Sequence, residues 1–305
     1  MFRAVRLAVI TAALAVSGCA GYPTTDVAQM NFVEAAGVHT HVETWGEGAP
    51  VFLIHGASSH IGTWKPTIVP MLKGEFRVAA YDRPGMGYTT DRPAGADTLA
   101  MQARVAADVI EQLGLKKPIV VAHSWGGAVA LRLALDRPDL VSGLVLIAPV
   151  AYEWPGGVDW YNYWSANPLS GWLFNNVIAQ PFAGVAVTDG MRGAFAPNTP
   201  PQGWLTAAEV SLAARPQSLR ANGEDLVAAK REVAAQQARY AEIKIPVAIL
   251  VGDGDRVVSP TIHAMKLAQT LPNARIDVVA GAGHLPHEIA PQRFRKLFDW
   301  VNANK

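Results

Sequence analysis

The feature that most restricts the fold of this chain is a series of short apolar runs. They are PVFLIHG (50–56), FRVAAYD (76–82), PIVVAHS (118–124), LVLIAP (144–149), PVAILVGD (246–253) and ARIDVVAG (274–281). Near-continuous apolar runs of this length suit strands covered on both faces, as in a parallel sheet. Helical patterns lie between most of them. In TLAMQARVAADVIEQL (98–113), Leu99, Val105, Val109 and Leu113 recur at helical spacing, and Gly114 is a stop signal. Residues 126–135, 260–271 and 289–303 also read as helices. Strands alternating with helices predict an α/β fold with a mostly parallel sheet, right-handed crossovers and helices on both faces. Residues 28–45 alternate around Gly37 and predict a hairpin at one sheet edge.

Residues 151–225 break this rhythm. Eleven of the 25 aromatic residues fall within 152–204, punctuated by Pro and Gly, with no strand pattern. This segment reads as a helical cap or lid inserted between a first core part (28–150) and a second (226–305). Its rings either form the insertion's own small core or line a pocket. The 305 residues, 50% of them hydrophobic, are enough for such a core. The formal charge is +1. No basic stripe points to nucleic acid, and no acidic tail points to a solvating segment.

The N-terminus reads separately. Arg3 and Arg6 precede an apolar run from Leu7 to Val16, interrupted only by Thr11. That run is too short to span a ~30 Å hydrocarbon core as a helix and suits a secretory signal peptide. V-S-G-C (16–19) resembles a bacterial lipobox, which implies a signal peptide over 1–18 and lipidation of Cys19. Ala20, where Asp would retain the protein in the inner membrane, implies outer-membrane sorting in a host that has one, facing the periplasm. An ordinary signal peptide with an incidental cysteine, or an uncleaved anchor, is the alternative. Residues 19–27 then form a tether. Cys19 is the only cysteine, so no disulfide forms within one chain.

The chemistry centres on AHSWGGAVA (122–130). Ser124 ends an apolar run and precedes Gly126, Gly127 and a helix, where a sharp turn demands small neighbours. Here the chain resembles the α/β-hydrolase family over residues ~30–303, with Ala122 in place of the commonest glycine. The resemblance implies a triad in the order serine, acid, histidine. LVGDGDRVVSP (250–260) supplies Asp255, with Asp253 as a decoy expected to bind loop amides. GAGHLPHE (281–288) supplies His284, with His287 as a decoy at a rim or cap. The oxyanion donors implied are the amides of Ala57 and Trp125. His55 is expected to shape its turn, and Asp82 and Arg83 to pair or cap locally. No metal-ligand spacing and no dinucleotide fingerprint are present, so no cofactor is expected.

The stretch AHSWGGAVALRLALDRPD also resembles the nucleophile region of epoxide hydrolases and haloalkane dehalogenases, which carry aspartate at the position of Ser124. A carboxylate attacks saturated carbon, whereas a serine attacks a carbonyl. The expected reaction is therefore hydrolysis of a carboxylic ester or related carbonyl compound through an acyl-enzyme. The aromatic insertion points to a hydrophobic or aromatic small-molecule substrate. A C–C bond hydrolase, a proline-type aminopeptidase and a perhydrolase are alternatives on the same residues. A non-catalytic envelope binding protein is the alternative of another class.

Overall fold

The computed structural model describes residues 30–305. The expected signal peptide, Cys19 and the tether lie outside the described residues. Eight strands form one sheet in the order β1-β2-β4-β3-β5-β6-β7-β8. The edge hairpin joins β1 (Asn31–Ala35) to β2 (Val38–Trp45), turning at Ala36 and Gly37, both with positive φ. Strand β2 is antiparallel to β4 (Phe76–Tyr81). Beyond it, β3 (Ala49–Ile54), β5 (Ile119–His123), β6 (Gly143–Ile147), β7 (Val247–Gly252) and β8 (Ala274–Val279) complete a parallel array. All six apolar runs are thus strands of this array.

Side-chain alternation divides each strand between two cores. In β3, Phe52 and Ile54 enter one core while Val51 and Leu53 enter the other. In β5, Val120 and Ala122 face the first and Ile119 and Val121 the second. Helix α1 (Ile68–Leu72) lies on the second face, and helices α2 (Leu99–Gln112) and α3 (Trp125–Asp136) cover the first. Each fully buried Val, Leu or Ile contributes about 1.5–3 kcal/mol, so coverage of both faces is the main stabilising term. Helix α2 starts where the Thr98 hydroxyl accepts the Met101 amide. It ends beside Gly114, whose φ of 64° is readily adopted only without a Cβ.

Between β6 and β7 the chain is helical. It contains α4 (Trp160–Ala166), α5 (Gln180–Phe195) and α6 (Pro216–Gln236), joined by shorter helical turns. A Cβ on Gly223 would lie 2.9 Å from Asn162 O, so α4 and α6 approach closely there. Helix α6 runs across residue 225. Helix α7 (Lys266–Thr270) follows β7 on the first face, and α8 (Pro291–Asn304) closes the second.

Arg83 and Asp82 do not pair with each other. Arg83 is fully buried, and its Nη1 donates to Asp225 Oδ2 on α6 at 2.6 Å and to Gln102 Oε1 on α2 at 2.6 Å. Its Nε and Nη2 donate to the carbonyls of His55 and Gly56. The partner of Arg83 is 142 positions away, and a guanidinium with no access to water requires one. Asp82 accepts the amides of Ile61 and Tyr88 and pairs with His41 Nδ1 at 2.8 Å.

Asp225→Ala would leave that guanidinium buried without its anion. It should lower the unfolding free energy in urea by about 3–5 kcal/mol. A loss below about 1 kcal/mol, within the range of ordinary exposed pairs, would contradict the assignment.

Candidate active site

Ser124 sits between β5 and α3 with φ 54° and ψ −121°. A non-glycine residue held there stores on the order of 1–3 kcal/mol of strain, so the surroundings must fix it. They do so by close approach. A Cβ on Gly126 would lie 2.4 Å from Ile54 O, and one on Gly127 would lie 2.7 Å from Pro149 Cβ. The Ser124 amide donates to Ile147 O at 2.9 Å, and its carbonyl accepts from Gly127 and Val150. The turn therefore needs the two glycines that follow the serine, and it accommodates Ala122, which is fully buried.

The loop after β3 lies against this turn. A Cβ on Gly56 would be 3.0 Å from Ser124 Cβ, which sets the adjoining Ala57 beside the serine. Four hydrogen bonds hold the loop. Arg83 grips the carbonyls of His55 and Gly56, Asn222 Oδ1 accepts the Ser58 amide at 2.7 Å, and His60 Nε2 donates to Glu209 O. His55 donates from Nδ1 to Gly56 O and accepts the Arg83 amide on Nε2. Burial, then the neighbouring Arg83 charge, holds its pKa well below the usual value. It is a neutral structural group. Trp125 opens α3, where helix amides favour negative charge.

Asp255 and His284 meet across two loops. His284 Nδ1 lies 2.7 Å from Asp255 Oδ2, and both side chains are buried. Asp255 Oδ1 accepts the amides of Val257 and Val258, which fixes its carboxylate plane. The decoy Asp253 instead accepts the Gly281 amide at an exposed position. The histidine loop is clamped from the cap side. The His284 amide donates to Ala194 O, and the Gly283 amide donates to Asn198 Oδ1. A Cβ on Gly252 would lie 2.1 Å from Ala282 O, so the two loops touch through glycine. Among the described residues no hydrogen bond links Ser124 Oγ to His284. Such bonds often tighten only when substrate binds.

A second histidine layer lies behind. His123 Nε2 donates to His284 O at 3.0 Å, and its ring stands 4.7 Å from that of His284. His287 occupies neither a rim nor a helix cap: it is buried, 5.6 Å ring to ring from His123. Burial, then the His284 charge, lowers its pKa to about 3. Its Nε2 lies 3.4 Å from Glu288 Oε1, while Thr67 Oγ1 donates to Glu288 Oε2 at 2.6 Å. Burial lifts the Glu288 carboxyl to about 7 against the pull of Thr67. His287 and Glu288 therefore favour their uncharged forms, and burial outweighs their mutual attraction. The apolar LPHEI context gave no sign of this layer beyond the residue types.

Ser124, His284, Ala57, Trp125, His123 and His287 all line one cavity of about 1090 Å³. Trp154, Trp160, Tyr161, Phe174 and Phe182 from the helical segment line it too. Phe195 and Trp204 instead form a small separate core with Leu285. Among the described residues no group of three or more His, Cys, Asp or Glu is placed to hold a metal.

Residues 51–297 match the model of a family described as "Alpha/beta hydrolase family". The chain is 28% identical to 2-hydroxymuconate semialdehyde hydrolase of Pseudomonas putida, covering 87% of this chain and 91% of the relative. It is also 28% identical to pimeloyl-[acyl-carrier protein] methyl ester esterase of Nitrosomonas europaea, over 85% and 98%. A thermophilic esterase from Thermogutta terrifontis shares the fold with a TM-score of 0.69 at 22% identity, over 90% and 98%.

The Glu288 geometry sets a pH dependence of stability. The native state favours the protonated carboxyl, with a pKa of about 7 against 4.5. That stabilisation is complete below the unfolded value and is lost as pH rises through the native one. Relative to Glu288→Gln, the wild type should lose about 3 kcal/mol between acid pH and pH above the native value. Parallel stability profiles for the two proteins would refute the shift.

Proposed function

The chain belongs to the alpha/beta hydrolase family and is a hydrolase, and from that premise we propose that it cleaves carboxylic esters through an acyl-enzyme on Ser124. The observation that carries this reading is the buried contact of His284 Nδ1 with Asp255 Oδ2 at 2.7 Å, beside the cavity that Ser124 lines.

In this reading His284 Nε2 takes the proton of Ser124 Oγ as that oxygen attacks the ester carbonyl carbon. Asp255 holds Nδ1–H and offsets the imidazolium charge without itself taking a proton. The amides of Ala57 and Trp125 bind the oxyanion, a type of contact worth about 10²–10³ in rate per donor. The tetrahedral intermediate collapses and the alcohol leaves with the proton from His284. Water, deprotonated by the same histidine, then releases the acid and restores Ser124. His123, with its pKa held well below normal by burial and then by His284, stays neutral and supports the His284 loop through its carbonyl. The rings at the cavity favour a hydrophobic or aromatic substrate.

A second reading uses the same residues to hydrolyse a C–C bond next to a carbonyl. The likeness to 2-hydroxymuconate semialdehyde hydrolase favours it. Comparing kcat/KM for p-nitrophenyl esters with that for a vinylogous diketone separates the two. As part of the same proposal, residues 1–18 are a lipoprotein signal peptide, Cys19 carries the lipid, and the protein faces the periplasm from the outer membrane.

A fluorophosphonate should label the wild type and leave Ser124→Ala unlabelled; an unlabelled, folded wild type would favour a non-catalytic protein. Asp255→Asn should lower kcat on the order of 10³–10⁴-fold by favouring the wrong tautomer. Asp253→Asn, altered at an exposed loop bond, should remain close to wild type. The reverse ranking would overturn the assignment of the acid.

A further inference from the structure

We propose that the helical segment over the cavity docks on a lipid bilayer surface through an uncharged aromatic face. Residues 160–188 contain no Asp, Glu, Lys, Arg or His. Within them Leu169 is 94% exposed, Trp172 70%, Phe182 71%, Val185 68% and Trp160 68%. Soluble monomers rarely leave this many large apolar side chains exposed within one short uncharged segment without a partner. The mixture of Trp, Tyr and Leu suits the boundary between headgroups and acyl chains, where amphipathic rings lie with one end dry and the other wet. No helix among the described residues is long and apolar enough to cross a membrane, so the contact is a surface one.

The character and reach of the chain upstream of the fold favour lipid over a second copy. Asn31 lies opposite Val42, and Val42 lies opposite Tyr81, the last residue of β4. Asn31 therefore stands level with the carboxyl end of β4 on the edge strand, and because β1 runs parallel to β4 the segment preceding it approaches from the amino-end side. Upstream lie Arg3, Arg6, the apolar run Leu7–Val16 and Cys19. Residues 20–30 reach at most about 40 Å when extended. A membrane-directed N-terminus, on which this inference rests, thus keeps the aromatic face close to the bilayer at high effective concentration. Trp160 and Phe182 belong to both the exposed face and the cavity lining, so the docked face gives the cavity a route from the lipid phase. The absence of charge makes the contact apolar, and salt should not screen it.

Cys19 is the only cysteine, so the full chain carrying Cys19→Ser and Leu169→Cys takes an environment-sensitive fluorophore at one position. Unilamellar vesicles of phosphatidylcholine should blue-shift its emission. Adding phosphatidylglycerol to the vesicles, or raising the salt, should leave the shift unchanged. The same label at Lys116→Cys, exposed before β5 at the opposite end of the sheet, should not respond. Adding Trp172→Ser and Val185→Ser to the Leu169-labelled chain should abolish the shift and leave hydrolysis of a water-soluble ester unchanged. An unresponsive Leu169 label, or an equal response at Lys116, would overturn the proposal. So would a shift that needs anionic lipid and disappears in salt. A shift that grows with protein concentration without vesicles would overturn it in favour of a second copy. The vesicle titrations do not read hydrolysis, so this proposal and the ester reading fail independently.

Discussion

The structure depends on one buried cation. Arg83 has no access to water, and the guanidinium satisfies itself on three separate parts of the chain. It binds Asp225 on α6, Gln102 on α2, and the carbonyls of His55 and Gly56 in the loop after β3. Asp225 is held further by Arg92 Nη2 and Gln102 Nε2. A buried ion pair adds little net stability over an apolar substitute, yet breaking one is expensive. Its value here is positional, because the same cation fixes the loop that presents Ala57 and the helix that borders the cavity.

From that framework the site is assembled by backbone contact more than by side-chain packing. Gly56 admits the Cβ of Ser124, Gly126 admits the end of β3, and Gly252 admits the histidine loop. Each glycine stands where a methyl group would meet a neighbour at contact distance or closer. The Asp255 carboxylate is bound by two amides before it meets His284. The helical segment contributes as well, since Ala194 and Asn198 grip the strand of chain that carries His284. A group that reacts with substrate must return to one position, and loops held by backbone hydrogen bonds at both sides meet that requirement.

The strands, and the loops at their ends that carry the candidate residues, were legible in the sequence for a physical reason. Two-sided burial writes continuous apolar runs, and the sharp turns at their carboxyl ends require small residues beside Ser124, Asp255 and His284. The partner of Arg83 was not legible, because a charge pair across 142 positions leaves no local pattern. His287 read as peripheral because nothing in HLPHE shows that its helical turn is buried against Trp64 and His123. The Glu288 carboxyl was invisible for the same reason: its raised pKa comes from burial, which only the folded chain creates. The segment 151–225 gave its aromatic content but not its division of labour. Phe195 and Trp204 turn inward as a small core, while Trp172 remains on the surface.

The central claim is that Ser124 carries the acyl group. The most direct test exposes the protein to a slowly released carbamoylating ester, then maps the adduct by peptide mass spectrometry. The account predicts one carbamoyl group, on Ser124, forming as activity toward p-nitrophenyl acetate disappears. An adduct on another residue, or undiminished turnover of the acetate by fully carbamoylated Ser124, would contradict it.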